Sequence, residues 1–218
     1  MQKLLIFALL FAAFSCTKFS SGQAADADNQ AQTISYDSVS SKSFDELFTE
    51  VQPEDIADNP VKLALTDNIV ITAGRAAHYN SMVAADGGTG VLMGKPVTFC
   101  GLRGSRYTLE VLLRDSVYTF SIFDERFRCD FMKFGDKSGR DSQKMTETAL
   151  TAVSTPSGLV TFKEARLVIE CQLAQTHTIN PDEVYAQANR QFFVDAHKEV
   201  GSWHKIVFGD IKHVWVRK

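Results

Sequence analysis

Short β-rich runs that end at glycine or proline constrain the fold of this chain more than any other feature. Asn68–Ala73 is rich in β-branched residues and stops at Gly74, and Lys95–Cys100 follows a cluster of glycines. Runs with such boundaries are typical of strands. Many short strands with few helices between them predict a mainly β domain, built as a closed or partly open barrel.

Apolar and polar residues alternate in two further segments, Val117–Phe123 and Leu167–Leu173. A period of two is typical of a β-strand, in which successive side chains point to opposite faces. Trp203–Val216 is predicted to form one or two closing strands that break at Gly209. These segments extend the strand pattern to the end of the sequence.

Helices are predicted at few places. Ser43 begins one, because Glu46 stands at the capping-box position and can reach back to the Ser43 amide. Asn59-Pro60 is predicted to end the segment that begins at Ser43, since proline restricts the residue before it. The other predicted helical segments lie between strands, at Tyr107–Arg114, Glu125–Phe134 and Asp141–Ala149.

The first residues have the pattern of an export signal. Lys3 is followed by the apolar run Leu4–Phe14, which is short for a bilayer span. Small residues then precede Cys16, as in a bacterial lipoprotein signal, where the cysteine becomes the lipidated first residue. The alternative is an ordinary signal that is cut near Ala24-Ala25. Both interpretations predict export, and the first predicts a lipid anchor at Cys16 on the periplasmic or cell-surface side of a membrane.

Residues 17–42 are rich in Ser, Ala, Gln, Asp and Asn and poor in large apolar residues. Such a segment buries too little surface to fold by itself, and it is predicted to be a flexible tether. The sequence therefore divides into a signal at 1–16, a tether at 17–42 and a folded domain at 43–218. The 218 residues, 44% of them hydrophobic, suffice for one sizeable core.

Composition and motifs exclude several classes of function. The formal net charge of −3 argues against a nucleic-acid partner, which normally needs a basic face. The chain has no P-loop, GxGxxG, GxSxG or HExxH motif. Besides Cys16 it has Cys100, Cys129 and Cys171, with neither a CxxC pair nor metal-ligand spacing. Cys100 and Cys171 are expected to be small buried residues, and the pairing of any disulfide stays open.

The first candidate site lies between a strand and a helix. The segment Arg103–Glu110 contains Arg103 and Arg106, with hydroxyl groups from Ser105 and Thr108 at the helix start. Guanidinium groups and the unpaired amides of a helix start both favour an anion. The segment is predicted to bind a phosphate group, and the alternative is a solvated basic loop followed by an ordinary helix cap.

Two other segments can approach a ligand closely. Gly135–Asp141 contains two cations, a hydroxyl and two glycines, which let the backbone come near a ligand. Its alternative is a turn followed by a helix cap at Asp141. His78–Gly88 has small residues and glycines around a short β run. A flat ring system can pack against such a backbone, although a plain hairpin has the same pattern.

These segments together resemble the flavin reductase-like family with the FMN-binding split barrel, in one collinear order from about Asn59 to Lys218. The segment Lys137–Asp141 matches the family's K-S-G-R-D without change. Ile69–Gly74 is similar to the family's first strand, Tyr79–Ala85 to N-S/T-M-T-A-S, and Gly94–Val97 to x-K-P-P/V. Arg103–Glu110 is similar to R-P-x-R-Y-T-x-E, Ser121–Asp124 to S-F-F-D, and Ile206–Ile211 to Y-I-G-E-I.

The resemblance implies a mainly β split barrel that binds FMN at the interface of a homodimer. In such proteins the isoalloxazine ring meets the N-S/T-M-T-A-S backbone and the phosphate meets the R-Y-T segment. The K-S-G-R-D segment is implied to make a second contact, with the phosphate or with the ring. The implied cofactor-binding residues are Asn80, Ser81, Met82, Val83, Ala84, Arg103, Ser105, Arg106, Thr108, Lys137, Ser138 and Arg140.

The chain departs from the family pattern at four positions. Ala85 replaces a serine and Gly104 replaces a proline. Asp86 stands where the family often has an aromatic residue, and Asp136 replaces a serine beside the lysine. The two acids make the ring end more negative, which disfavours an anionic reduced flavin and the approach of a dinucleotide. FMN binding is expected to survive these changes, whereas they argue against efficient use of NAD(P)H.

The resemblance implies an exported flavin reductase-like oxidoreductase that passes electrons through bound FMN. The flavin carries the chemistry in such proteins, so no side-chain nucleophile or acid is required. The alternative is a non-enzymatic electron-transfer protein whose FMN is reduced by a membrane partner, because reduced nicotinamide is generally a cytoplasmic compound. A flavin-binding module without redox turnover is the third interpretation.

Overall fold

The computed structural model describes residues 41–197 and 203–218. The predicted signal, its candidate lipidation site at Cys16 and nearly all of the predicted tether lie outside these residues. The helices are α1 (Phe44–Leu47), α2 (Pro60–Lys62), α3 (Tyr107–Asp115), α4 (Arg128–Asp136) and α5 (Gln187–His197). The strands are β1 (Phe48–Val51), β2 (Ile69–Arg75), β3 (His78–Ala84), β4 (Gly87–Leu92), β5 (Lys95–Arg103), β6 (Val117–Phe123), β7 (Ala152–Ser154), β8 (Val160–Phe162), β9 (Ala165–Thr178) and β10 (His204–Arg217).

One antiparallel sheet dominates the described residues. Its strand order is β3-β2-β6-β9-β10-β5-β4, with β1 paired to β10, while β7 and β8 form a separate hairpin. The end strands β3 and β4 are consecutive in the chain and are joined only by Ala85 and Asp86. The sheet must therefore curl to bring its two ends together. The mainly β fold class predicted from the short strand runs is confirmed.

Strand β6 is buried along its whole length, because both faces of the sheet are covered there. Tyr118, Phe120 and Ile122 join the core cluster that also contains residues of β2, β9 and α3. On the other face, the Thr119 hydroxyl donates to the Val160 carbonyl oxygen at 2.7 Å and Ser121 bonds Thr161 of β8 at 2.9 Å. The alternation predicted from the sequence thus separates an apolar interior from a polar contact with the β7–β8 hairpin.

A second core cluster lies on the outer side of the sheet and is dominated by aromatic side chains. It joins α1 and α4 to the sheet through Phe44, Phe123, Phe131, Phe162 and Trp215. Phe44 meets Trp215 edge-on at 5.2 Å, and Phe123 stacks on Phe131 at 5.4 Å. Aromatic pairs of this kind add to the free energy gained from burial alone. This cluster fixes α4, whose last turn borders the candidate site.

Cys100 and Cys171 are buried free thiols and are not linked to each other. Burial raises the pKa of Cys171 to about 12 and that of Cys100 further still, so neither thiol ionises under ordinary conditions. Thr98 Oγ1 lies 3.1 Å from Cys171 Sγ and 2.7 Å from the Tyr118 hydroxyl oxygen. The two cysteines are small buried residues, as the sequence predicted.

The helix predicted at Asp141–Ala149 is wrong, since only the 3-10 turn Lys144–Thr146 is helical there. Tertiary contacts hold this segment against α4: Lys144 donates to the Phe134 carbonyl oxygen at 2.7 Å, and Thr148 donates to the Asp130 carbonyl oxygen at 3.2 Å. These bonds to a neighbouring helix outweigh the weak local preference for helix.

The predicted break of the closing strand at Gly209 is a register shift and not an interruption of β10. The strand continues because Gly209 lets it pass close to Tyr118, where a Cβ atom would clash with the tyrosine ring and hydroxyl. The helix α5 was not predicted. Within the described residues, no helix is long and apolar enough to cross a membrane.

Candidate functional site

A pocket of about 90 Å³ opens between β3, the start of α3, the last turn of α4 and the loop that follows α4. Eight of the twelve cofactor-binding residues predicted from the sequence line it: Asn80, Met82, Val83, Ser105, Arg106, Thr108, Lys137 and Ser138. Three segments that are far apart in the sequence therefore meet at one place. The other four predicted residues, Ser81, Ala84, Arg103 and Arg140, do not line the pocket.

Strand β3 forms one wall of the pocket and lies at the end of the sheet. Among the described strands it pairs only with β2, so no described strand uses the N–H and C=O groups along its outer edge. Ser81 faces inward, where its hydroxyl bonds Thr72 at 2.8 Å, and Ala84 is buried in the core. What β3 offers to a ligand is thus its backbone edge, with Met82 and Val83 beside it.

Asn80 connects all three walls of the site. Its side-chain amide donates to Thr108 Oγ1 at 2.6 Å, and both residues are buried. Gly139 in the loop after α4 comes so close that a Cβ atom there would clash with Asn80 Oδ1. The polar atoms of Asn80 and Thr108 therefore serve to position β3, α3 and the loop relative to one another.

The N-terminus of α3 points to anion binding. Arg106 is its N-cap residue, with extended backbone, and its side chain makes no capping hydrogen bond. The first amides of a helix have no partner within the helix and carry partial positive charge. The Arg106 side chain is exposed and has no ion pair or side-chain hydrogen bond to the rest of the described chain. A full positive charge and uncompensated amides therefore meet at the pocket.

Two of the other predicted cations, Lys137 and Arg140, are already paired. Lys137 donates to both carboxylate oxygens of Glu147 at 2.9 and 3.1 Å. Arg140 donates to Glu110 at 2.6 Å and to the Ser105 carbonyl oxygen at 2.9 Å, and its guanidinium lies 5.1 Å from the centre of the Tyr107 ring. Arg140 thus contacts the outer side of the segment Arg103–Glu110, and its charge is partly compensated there.

Sequence reasoning missed Lys144, which lines the pocket although only 3% of the residue is exposed. Its ammonium donates to the Phe134 carbonyl oxygen at 2.7 Å. Burial, together with the positive charge of Arg106, lowers the pKa of Lys144 to about 8. Nothing in its local sequence distinguishes this lysine from a surface residue, so only the packing of its segment against α4 identifies it.

The other lining residues not assigned from the sequence are Tyr107, Phe134, Gly135 and Gly139. Tyr107, Gly135 and Gly139 lie within the two basic segments identified from the sequence, and Phe134 directly precedes one of them. Assigning the whole of both segments to the site would have included all of these residues except Phe134. Within the described residues, no group of three or more His, Cys, Asp or Glu side chains could hold a metal ion.

Residues 66–218 match the family described as flavin reductase like domain. The chain belongs to the flavin reductase-like family. The match covers more than half of the sequence and includes every segment that lines the pocket. A comparison with curated proteins finds no match.

Several solved structures have a similar fold. An FMN-binding protein from Thermus thermophilus with bound 1-cyclohex-2-enone is 17% identical, with a TM-score of 0.54 over 73% of this chain and 78% of its own. An FMN-binding domain of a flavin reductases-like enzyme from Shewanella baltica is 13% identical, with a TM-score of 0.56 over 78% and 76%. A protein from Shewanella frigidimarina described as a flavin reductase with split barrel domain is 13% identical, with a TM-score of 0.54 over 84% and 79%. The split-barrel fold predicted from the sequence is confirmed.

Proposed function

We propose that the pocket between β3, α3 and α4 holds FMN, and that the chain is an oxidoreductase that passes electrons through this flavin. The observation that carries the proposal is the meeting of Arg106, Lys144 and the uncapped start of α3 at one pocket beside an open sheet edge. Membership of the flavin reductase-like family supports a flavin as the cofactor, and the names of the similar structures support FMN.

The donors of the site fit the phosphate of FMN. Arg106 and Lys144 supply positive charge, and the first amides of α3 and the hydroxyl of Ser105 supply further donors. Phosphate oxygens form strong charge-assisted hydrogen bonds with such groups, and a helix N-terminus favours a dianion. No carboxylate is among the residues that line the described pocket, and the influence of the nearby Asp136 on Lys144 is smaller than that of Arg106.

The open edge of β3 fits the ring of FMN. An isoalloxazine ring is flat and carries polar atoms along one side, which suits a strand edge with unused N–H and C=O groups. Met82 and Val83 give an apolar surface next to that edge. We assign the ring to β3 and the phosphate to the start of α3.

The bound flavin would supply the redox chemistry, and the protein would supply position and electrostatics. Asn80 holds the two ends of the site together through Thr108, while Arg106 and Lys144 fix the anionic end. Asp86 follows β3 and Asp136 ends α4, and both acids are exposed. Their negative charge argues against the approach of a dinucleotide and favours a donor other than NAD(P)H.

Flavin binding and donor use can be measured together. The purified domain, loaded with FMN and freed of excess, should show flavin absorbance and should be bleached readily by dithionite under anaerobic conditions. NADH and NADPH should reduce it slowly in stopped-flow experiments. Failure to retain FMN would refute the proposal. Rapid, saturable reduction by either nucleotide would instead make the protein a nicotinamide-dependent flavin reductase.

A second candidate function is that of an electron carrier reduced by a membrane partner. It is favoured by the signal-like N-terminus with Cys16, which we propose to be lipidated, and by the acids Asp86, which follows β3, and Asp136, which ends α4. A tether of residues 17–42 would reach on the order of 30 Å, which suits exchange with a membrane-bound donor. Mass spectrometry of the protein from the producing cell tests this: an unmodified Cys16 in a soluble fraction would remove the membrane anchor.

We further propose that the functional unit is a homodimer. The pocket of about 90 Å³ can enclose only one end of FMN, since sites that enclose a drug-sized ligand measure roughly 300–1,000 Å³. A second copy could cover the rest of the flavin, as the family resemblance implies. Sedimentation of the FMN-loaded domain at micromolar concentration tests this, and a monomer that retains FMN would refute it.

A further inference from the structure

We propose that Lys144 is a phosphate-binding residue of this site and that, together with Arg106, it makes the protein select phosphorylated flavins over riboflavin. This inference rests on the proposed FMN function and names the residue that sets the cofactor specificity. Lys144 lies outside the segments that resemble family motifs, and it is the buried position of its side chain that points to this role.

The ammonium of Lys144 has unused hydrogen-bonding capacity. A lysine carries three N–H donors, and among the described residues only one acceptor, the Phe134 carbonyl oxygen, bonds Lys144. The residue is 3% exposed and lines the pocket. Buried donors are normally satisfied, so the remaining N–H groups are suited to an acceptor that enters the pocket.

The charge of Lys144 is also unbalanced. No carboxylate of the described chain lies within ion-pairing distance of its ammonium, in contrast to Lys137, which is paired with Glu147. Arg106 is close enough to lower the pKa of Lys144, and the opposing influence of Asp136 is smaller. Two cations that face one pocket, neither of them in an ion pair with a described acid, repel each other, and a bound dianion would convert this repulsion into attraction.

A charge-assisted hydrogen bond to phosphate contributes roughly 1.5–3 kcal/mol, which corresponds to about ten- to 150-fold in affinity. Riboflavin lacks the phosphate and would gain nothing from Lys144. The effect of removing the charge should therefore depend on the ligand. A residue that only supported the fold would affect both flavins to the same extent.

The test compares FMN and riboflavin binding to the apo-protein by quenching of flavin fluorescence. Lys144→Met and Lys144→Gln remove the charge, and Gln keeps a donor for the Phe134 carbonyl in case the Met variant folds poorly. Lys95→Gln, at the exposed start of β5, serves as the control. Thermal melting of each apo-protein reports folding independently of the ligand.

We expect Lys144→Gln to weaken FMN binding at least tenfold while riboflavin affinity changes less than about twofold, with Lys95→Gln unchanged for both. Equal FMN affinity in wild type and Lys144→Gln would overturn the inference and leave the FMN function intact. An equal loss for both flavins would assign Lys144 a structural role. Equal affinity of the wild type for FMN and riboflavin would overturn phosphate selection without any variant, and failure of the wild type to bind FMN would refute the underlying function instead.

Discussion

The side-chain amide of Asn80 on β3 donates a hydrogen bond to Thr108 Oγ1 in the first turn of α3, with 2.6 Å between the two heavy atoms. Both residues are buried, and they lie 28 positions apart in the sequence. The bond joins the strand edge assigned to the flavin ring to the helix start assigned to the phosphate. The geometry of the whole site therefore depends on this contact.

A double-mutant cycle on this pair measures the contact. Asn80→Ala should lower the free energy of unfolding by about 1–3 kcal/mol, because it leaves the buried Thr108 hydroxyl without its partner. Thr108→Val should cost less once Asn80 is gone, giving a coupling of about 1 kcal/mol in urea denaturation. Strictly additive effects would show that the two side chains are energetically independent.

Arg106→Ala should weaken FMN binding at least tenfold, since a charge-assisted bond to phosphate contributes roughly 1.5–3 kcal/mol. The melting temperature of the apo-protein should hardly change, because Arg106 has no partner to lose within the described chain. Arg114→Ala on the same helix is the matched control: its guanidinium pairs with Asp115 and does not line the pocket. If Arg106→Ala lowered stability as much as affinity, Arg106 would be a structural residue.

Lys144 should make the stability of the apo-protein depend on pH. Its pKa is about 8 in the folded protein and 10.5 when unperturbed. At pH values between these two pKa values the unfolded chain binds more protons than the folded protein, so the free energy of unfolding should rise with pH over this range. The destabilisation caused by burying the charged ammonium should be largest below about pH 8. The shift corresponds to roughly 3 kcal/mol at most.

The difference in unfolding free energy between wild type and Lys144→Met isolates this effect, because titrations common to both proteins cancel. Urea denaturation of the two apo-proteins at about pH 7 and pH 10 should show the wild type gaining stability relative to the variant. The hydrogen bond to the Phe134 carbonyl is lost at every pH in the variant and does not alter the trend. A constant difference across this range would contradict a buried, charged Lys144.

Gly209→Ala should lower the free energy of unfolding by about 1–3 kcal/mol, the usual cost of overpacking a core. The added methyl group would clash with the Tyr118 ring and hydroxyl, which is itself bonded to Thr98. Gly90→Ala is the matched control, because it also lies in a strand but has open space around its Cβ position. Chemical denaturation measures the free energy of unfolding of both variants, and equal values would contradict this packing.

The helix at α3 illustrates what local sequence can predict. The expected segment Tyr107–Arg114 differs from α3 by a single residue at its end. The apolar residues Leu109, Val111 and Leu112 are buried against the sheet. The local sequence was sufficient here because the apolar residues whose spacing favours the helix are the same residues that pack it against the sheet.

Lys144 illustrates what local sequence could not predict. It stands in a segment expected to be helical, and lysine is a residue type that is almost never fully buried. Its burial results from the Lys144–Thr146 turn packing against α4, with the bond to the Phe134 carbonyl ten positions away. No pattern within the segment specifies that contact.

The sequence by itself determined the mainly β fold, through strand alternation, and the family, through motifs in a collinear order. It also identified the two basic segments at the site. The tertiary structure alone decided which of their cations remain available to a ligand. Arg140 is paired with Glu110 and Lys137 with Glu147, at separations of 30 and 10 residues, whereas Arg106 has no such partner. Ion pairing depends on distances in space, and these arise only when the strands, helices and loops have packed together.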